Sequence, residues 1–190
     1  MGFDMQLVEE PENYPTDYEP QEPDEPANYR FAAGTIGICL AVMHAAEVLD
    51  ADQPAPNFPS WPPAGIDAKR ASMIRRFMKS PEQLRERLAP DEYQLVQAYQ
   101  QELCSVTAVV PSIGAKVAEF KFLSNDGWWL SPRECRLIWE GLERLLRMGH
   151  EPLFNWLRKE GYSEVEAREF IRLWAGYNRL AADCGGYRVY

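Results

Sequence analysis

The densest run of chemically able side chains is Lys121-Phe-Leu-Ser-Asn-Asp-Gly-Trp-Trp129. The Ser124 hydroxyl, the Asn125 amide and the Asp126 carboxylate offer donors and acceptors, and two adjacent tryptophans offer flat apolar faces. In an extended chain only one tryptophan can face a core. The other is then left for a ligand, a second subunit or the acidic N-terminal segment. Asn-Asp-Gly is also good turn chemistry, which is the plainer account of the same residues. Asp4 lies on the polar side of an alternating N-terminal segment, where it is a candidate acid or base, or simply a solvent-facing strand residue. The candidate ligand or partner site is therefore Asp4, Asn125, Asp126, Trp128 and Trp129.

A second concentration is electrostatic. Lys69, Arg70, Arg75, Arg76, Lys79, Arg85 and Arg87 fall between Asp67 and Leu88 against only Asp67, Glu82 and Glu86. Such a run could follow a phosphate backbone, but it reads more readily as a solvated helix face. The opposite charge is at the N-terminus. Residues 1–28 carry nine acidic residues and no basic one, and the rest of the chain carries 20 of each sign, so the net charge of −9 belongs to that arm alone. The charge map suggests that the arm masks the basic segment. A nucleic-acid partner is not expected of a body that is neutral overall.

Other constellations are excluded by spacing. Two histidines and four scattered cysteines give no HxxxH, CxxC or HExxH pattern, so no metal or cofactor is expected. An EF-hand frame on Asn125-Asp126-Gly127 would put Phe122 and Arg133 where carboxylates are required. No GxSxG or family-specific catalytic cysteine occurs. His44, in an apolar stretch, reads as a core histidine more readily than as a general base. Gly34-Thr-Ile-Gly37 lacks the lysine of a phosphate-binding loop and reads as helix packing.

The elements that must position these residues follow from periodicity. Gly2 to Val8 alternates as a strand. Residues 9–28, with five prolines, read as an irregular arm. Thr35 to Leu49 reads as a buried helix, and residues 50–65 as a long loop pinned by Phe58 and Trp61. Helices follow over Asp67–Lys79, after a capping box at Ser80-Pro-Glu-Gln83, from Pro90, after Ser131-Pro-Arg-Glu134, and after Ser163-Glu-Val-Glu166. Gly185-Gly186 stops the last of these, and Tyr187 to Tyr190 reads as a closing strand. A further short strand fits near 116–123. Pairing the two terminal strands would close an α+β fold, predominantly α-helical and read as one domain.

No charged n-region or apolar h-region opens the chain, and Phe31–Met43 is too short to span a bilayer, so a cytoplasmic protein with reduced thiols and no membrane partner is expected. Met1-Gly-Phe-Asp-Met5, Lys121-Phe-x-Ser-Asn-Asp-Gly-Trp128 with Pro132 and Glu134-Cys135, and Asp183-Cys-Gly-Gly-Tyr187 together resemble a group of small bacterial and phage proteins without an assigned activity. The resemblance implies a bacterial intracellular origin and a shared site at Asp4, Asn125, Asp126 and Trp128. Three functions are consistent with these residues: a non-catalytic interaction or regulatory protein, which the absent catalytic constellations favour; a small enzyme or ligand-binding protein with its site between the terminal strands and the Ser124–Trp129 turn; and a nucleic-acid-associated protein acting through residues 69–87. The partner expected is an unidentified protein, a second copy of the chain among the options.

Overall fold

The computed structural model describes residues 3–31, 35–78, 80–108, 112–124 and 126–190, with the side chain of Phe3 left aside. The fold is α+β and predominantly helical, as the periodicity implies. Its contacts divide into two units, Met1–Ala55 with Val110–Tyr190, and Pro56–Val109.

The larger unit is built on a four-stranded antiparallel sheet. β1 (Phe3–Leu7) lies between β2 (Asn28–Phe31) and β6 (Tyr187–Val189), and β5 (Trp128–Leu130) pairs with the far side of β6. The two terminal strands therefore meet, with Met5 opposite Val189 and Leu7 opposite Tyr187. Strand alternation sorts the faces. Met5, Leu7, Tyr29, Phe31, Trp128, Leu130, Tyr187 and Val189 are buried, while Asp4, Gln6 and Arg30 are exposed. The inner face packs on α7 (Glu164–Asp183) through an aromatic cluster. Phe31 meets Trp174 edge-on at 5.1 Å, and Tyr177 contacts both Tyr29 and Tyr187 at 5.4 Å.

α5 (Pro132–Met148) packs along α7, and α1 (Ile36–Ala45) and α6 (Glu151–Lys159) complete the unit. Both α5 and α7 open with full capping boxes, from Ser131 with Glu134 and from Ser163 with Glu166. α1 ends at Ala45, earlier than expected, because the chain turns through Glu47 at φ 60° into a two-residue strand, β3 (Leu49–Asp50). β3 pairs in parallel with β4 (Val117–Ala118), which runs into a short 3-10 helix over Glu119–Phe122.

The smaller unit holds α2 (Ala68–Phe77), α3 (Pro81–Arg87) and α4 (Pro90–Ala108) around Ile66, Ala71, Ile74, Leu84, Leu88 and Val96. Trp61 pins the preceding loop by packing edge-on against Tyr99 at 4.9 Å. Asp67 caps α2 through Lys69 and Arg70 N–H, but the capping box expected at Ser80 does not form. Asp67, Ser131 and Ser163, which cap through short side-chain oxygens, have ψ of 158–160°, whereas Ser80 has ψ 82° and makes no side-chain cap hydrogen bond.

Candidate functional site

The turn singled out by the sequence is largely taken up by the fold. Trp128 is buried, donates its indole N–H to Ser124 Oγ (2.9 Å) and meets Phe120 edge-on. Trp129 is half-buried on the outer face of the sheet and donates to the Gly185 carbonyl at 3.0 Å. Asp126 is exposed, and Asn125 lies outside the described residues. Asp4 does not join them. Its carboxylate is 3.3 Å from Arg30 on β2, and β6 lies between it and β5, which puts it two strand spacings of about 4.8 Å away. The expected site between the terminal strands and this turn is thus split, because β6 fills the space it required.

The strongest chemistry of the segment lies beneath its surface. Lys121 is fully buried, with Nζ 2.6 Å from Glu134 Oε1 and 3.0 Å from the Trp129 carbonyl. Glu134 also accepts the Ser112 hydroxyl and, through Oε2, the Ser131 N–H and hydroxyl at 2.8 Å each. Ser112 Oγ in turn accepts the Ala118 N–H at 2.8 Å. One carboxylate therefore caps α5, neutralises a buried lysine and ties residues 112–118 to β5. Burial pulls the Lys121 ammonium down and pushes the Glu134 carboxyl up. For Glu134 the ammonium beside it and its donors outweigh burial, and the carboxyl titrates below its usual range. Each Glu134 oxygen accepts two donors and both side chains are buried, so this is a structural centre.

The basic segment is half committed to structure. Arg70 holds Glu92 through two bonds of 2.8 and 2.7 Å and also reaches the Arg87 carbonyl. Arg87 lies over the Phe77 ring at 4.4 Å. Arg75 and Arg76 occupy the last turn of α2, where cations complement the helix dipole. Lys69, Arg75, Arg76 and Arg85 are exposed, and Lys79 lies outside the described residues. Among the described residues, three acids of the arm are paired with cations of their own unit. Asp17 meets Arg179 at 2.7 Å, Glu19 meets Arg172, and Glu25 meets Arg30 at 3.2 Å, all within the larger unit.

Nor is the arm a free tail. Residues 8–27 connect two adjacent antiparallel strands, a job that two to five residues usually perform. The excursion has a fixed course. Val8 and Glu9 N–H donate to the Gly186 and Cys184 carbonyls, and Gln21 makes two bonds to the Arg30 backbone. Tyr18 is buried, with its hydroxyl on the Pro26 carbonyl and its ring stacked on Tyr14. Glu9, Glu10, Glu12, Glu22 and Asp24 remain exposed, and among the described residues none of them forms an ion pair.

A second surface was not legible in the sequence. His44 is not a core residue. It is about half exposed, its Nε2 3.3 Å from Glu119 Oε2, and the β3–β4 pairing is what carries Glu119 there. His150 caps α6, accepting the Leu153 N–H on Nδ1 at 3.1 Å. Both histidines line an open groove of about 390 Å³ with Ala41, Ala45, Pro152 and Trp156. Nothing in the spacing of positions 44 and 150 signals this, because α1 and α6 meet only in three dimensions. Among the described residues, no group of three or more His, Cys, Asp or Glu side chains is placed to hold a metal.

Among the described residues no helix is long and apolar enough to cross a membrane. No protein-family model, curated protein or solved structure matches the chain.

Proposed function

We propose that this chain is a bacterial intracellular interaction protein without a catalytic role, and that it engages a basic surface of a partner protein through the acidic excursion between β1 and β2. The observation that carries this reading is the excursion itself: twenty residues where a tight turn would serve, presenting five exposed carboxylates that form no ion pair among the described residues. Long ordered loops on a rigid scaffold are where binding residues concentrate. Like-signed charge held in place speeds encounter with an oppositely charged partner, and that contribution is weakened by salt. Four free cysteines, three of them buried, suit a reducing compartment.

The test compares the native chain with the variant Glu9→Gln/Glu10→Gln/Glu12→Gln/Glu22→Gln/Asp24→Asn. Both are purified under native low-salt conditions, and co-purifying proteins are identified by mass spectrometry. A protein with a basic contact face should be retained by the native chain, released by added salt and lost from the variant. Capture that is indifferent to the five substitutions, or that yields only further copies of the chain, overturns the reading.

The groove between α1 and α6 favours a second reading, a small-ligand site in which His44, oriented by Glu119, acts as a base. A ligand whose binding shifts the His44 ring resonances and is lost in His44→Ala would support it.

A further inference from the structure

The inner side of the acidic excursion makes a different kind of contact from its outer side. Asp17 and Glu19, two residues apart, sit on Arg179 and on Arg172, which also holds Glu169 of its own helix through two bonds of 2.9 and 2.7 Å, with Tyr18 buried between them. The arginines are seven residues apart on one face of α7, about 10 Å along the helix axis. That separation is too wide for one small anion and suits two carboxylates carried on a peptide. Between the arginines lies a cleft of about 160 Å³, walled by Trp139, Leu146, Ala175 and Gly176 and edged by Asp17 and by Glu143, whose carboxylate is paired with Arg147. A Cβ added at Gly176 would meet nothing within 4 Å, so the helix surface there is open.

The tripeptide is also detachable. Among the described residues, no backbone hydrogen bond joins residues 10–20 to the helices. The backbone anchors are Val8 and Glu9 on one side and the Gln21–Arg30 pair on the other. Pro11, Pro15 and Pro20 have no N–H to offer and keep this stretch stiff, so docking costs little chain entropy. Side chains alone hold the segment to α7. It can leave without disturbing a strand.

We propose that this α7 face is a recognition surface for a partner segment of the pattern acidic–aromatic–acidic, and that Asp17-Tyr18-Glu19 is its resident occupant. The chain's own tripeptide shows what chemistry the surface accepts, and its tether gives it an effective concentration in the millimolar range that any outside segment must exceed. The proposal is independent of the partner assigned to the outer carboxylates, which do not touch this face.

The probe is a fluorescent peptide with the sequence of residues 14–21, titrated by anisotropy against the full chain and its variants. Asp17→Asn/Glu19→Gln removes both charges of the resident segment, and Asp17→Asn/Tyr18→Ser/Glu19→Gln also removes its buried aromatic ring. Either variant, with its folding checked by circular dichroism and thermal melting, should bind the peptide at least about tenfold more tightly than the native chain. Adding Arg172→Gln/Arg179→Gln should abolish that gain. Two results overturn the proposal: folded triple variant binding the peptide no better than the native chain, or binding that survives loss of both arginines.

Discussion

Lys121 and Glu134 show how much a single pair can carry. The ammonium was readable in the sequence only as the start of a motif, since nothing local tells a buried lysine from an exposed one. Its partner was read correctly as a helix cap, but its second duty depends on how residues 112–122 fold back. Lys121→Met should cost about 3–5 kcal/mol in chemical denaturation, because it strands a buried carboxylate. Lys121→Met/Glu134→Gln should recover more than half of that loss, since glutamine keeps the capping geometry and has no charge to desolvate. The pH dependence follows from the lowered Glu134 carboxyl. Its stabilisation is complete above the unfolded carboxylate value of about 4.3 and is lost as pH falls through the lower folded value. The native melting temperature should therefore drop on acidification below about pH 4, and Glu134→Gln should flatten that drop. Glu47 is a second residue-scale case. At φ 60° it occupies the left-handed position after α1, and Glu47→Gly should raise stability by about 0.5–1 kcal/mol in the same assay.

Elements were the most legible level, and the reasons are visible in particular residues. The stripe Cys135, Ile138, Leu142 announced α5, and Ser131 and Ser163 announced where α5 and α7 begin. β2, β5 and α6 were missed. The first two are three or four residues long and exist only because β1 and β6 offer them edges. α6 starts on a histidine cap, which no cap preference flags. Close approach between elements falls on two glycines. A Cβ at Gly186, φ +88°, would lie 1.9 Å from the Leu130 carbonyl, so Gly186→Ala should cost about 3 kcal/mol or more and loosen β5 from β6. A Cβ at Gly141 would meet Val48 Cγ1 at 2.1 Å, a side chain that can shift, and Gly141→Ala should cost about 1–2 kcal/mol. Gly176→Ala, with open space above it in mid-helix, should instead stabilise by up to about 1 kcal/mol, which thermal melting would show.

Charge organises the whole molecule. The sequence located all the excess negative charge in residues 1–28 but could not say that this stretch begins and ends in neighbouring strands, because β2 has no local signature. Nor could it divide the nine acids into those turned inward and those turned outward, which depends on where α7 places Arg172 and Arg179. The division makes a prediction for stability. Neutralising Glu9, Glu10, Glu12, Glu22 and Asp24 removes self-repulsion and should leave the melting temperature unchanged or slightly raised at low salt. Neutralising Asp17 and Glu19 should lower it. The Arg179 guanidinium, hydrogen-bonded to the Asp17 carboxyl, holds it below its usual range, so that contact should survive acidification past the ordinary carboxylate range and be lost only as pH falls through the lowered folded value. Amide exchange at Tyr18 would report it.

The place of β6 between β1 and β5 has a consequence for biosynthesis. On the ribosome, β1 is made well before β6 and must wait, one side unpaired, until residues 187–189 clear the exit tunnel. During that interval β5 has no strand neighbour, and Tyr187 is not yet there to pack against Tyr177. The nascent chain thus carries an open edge throughout the synthesis of the residues between β1 and β6, the circumstance in which chaperones are recruited.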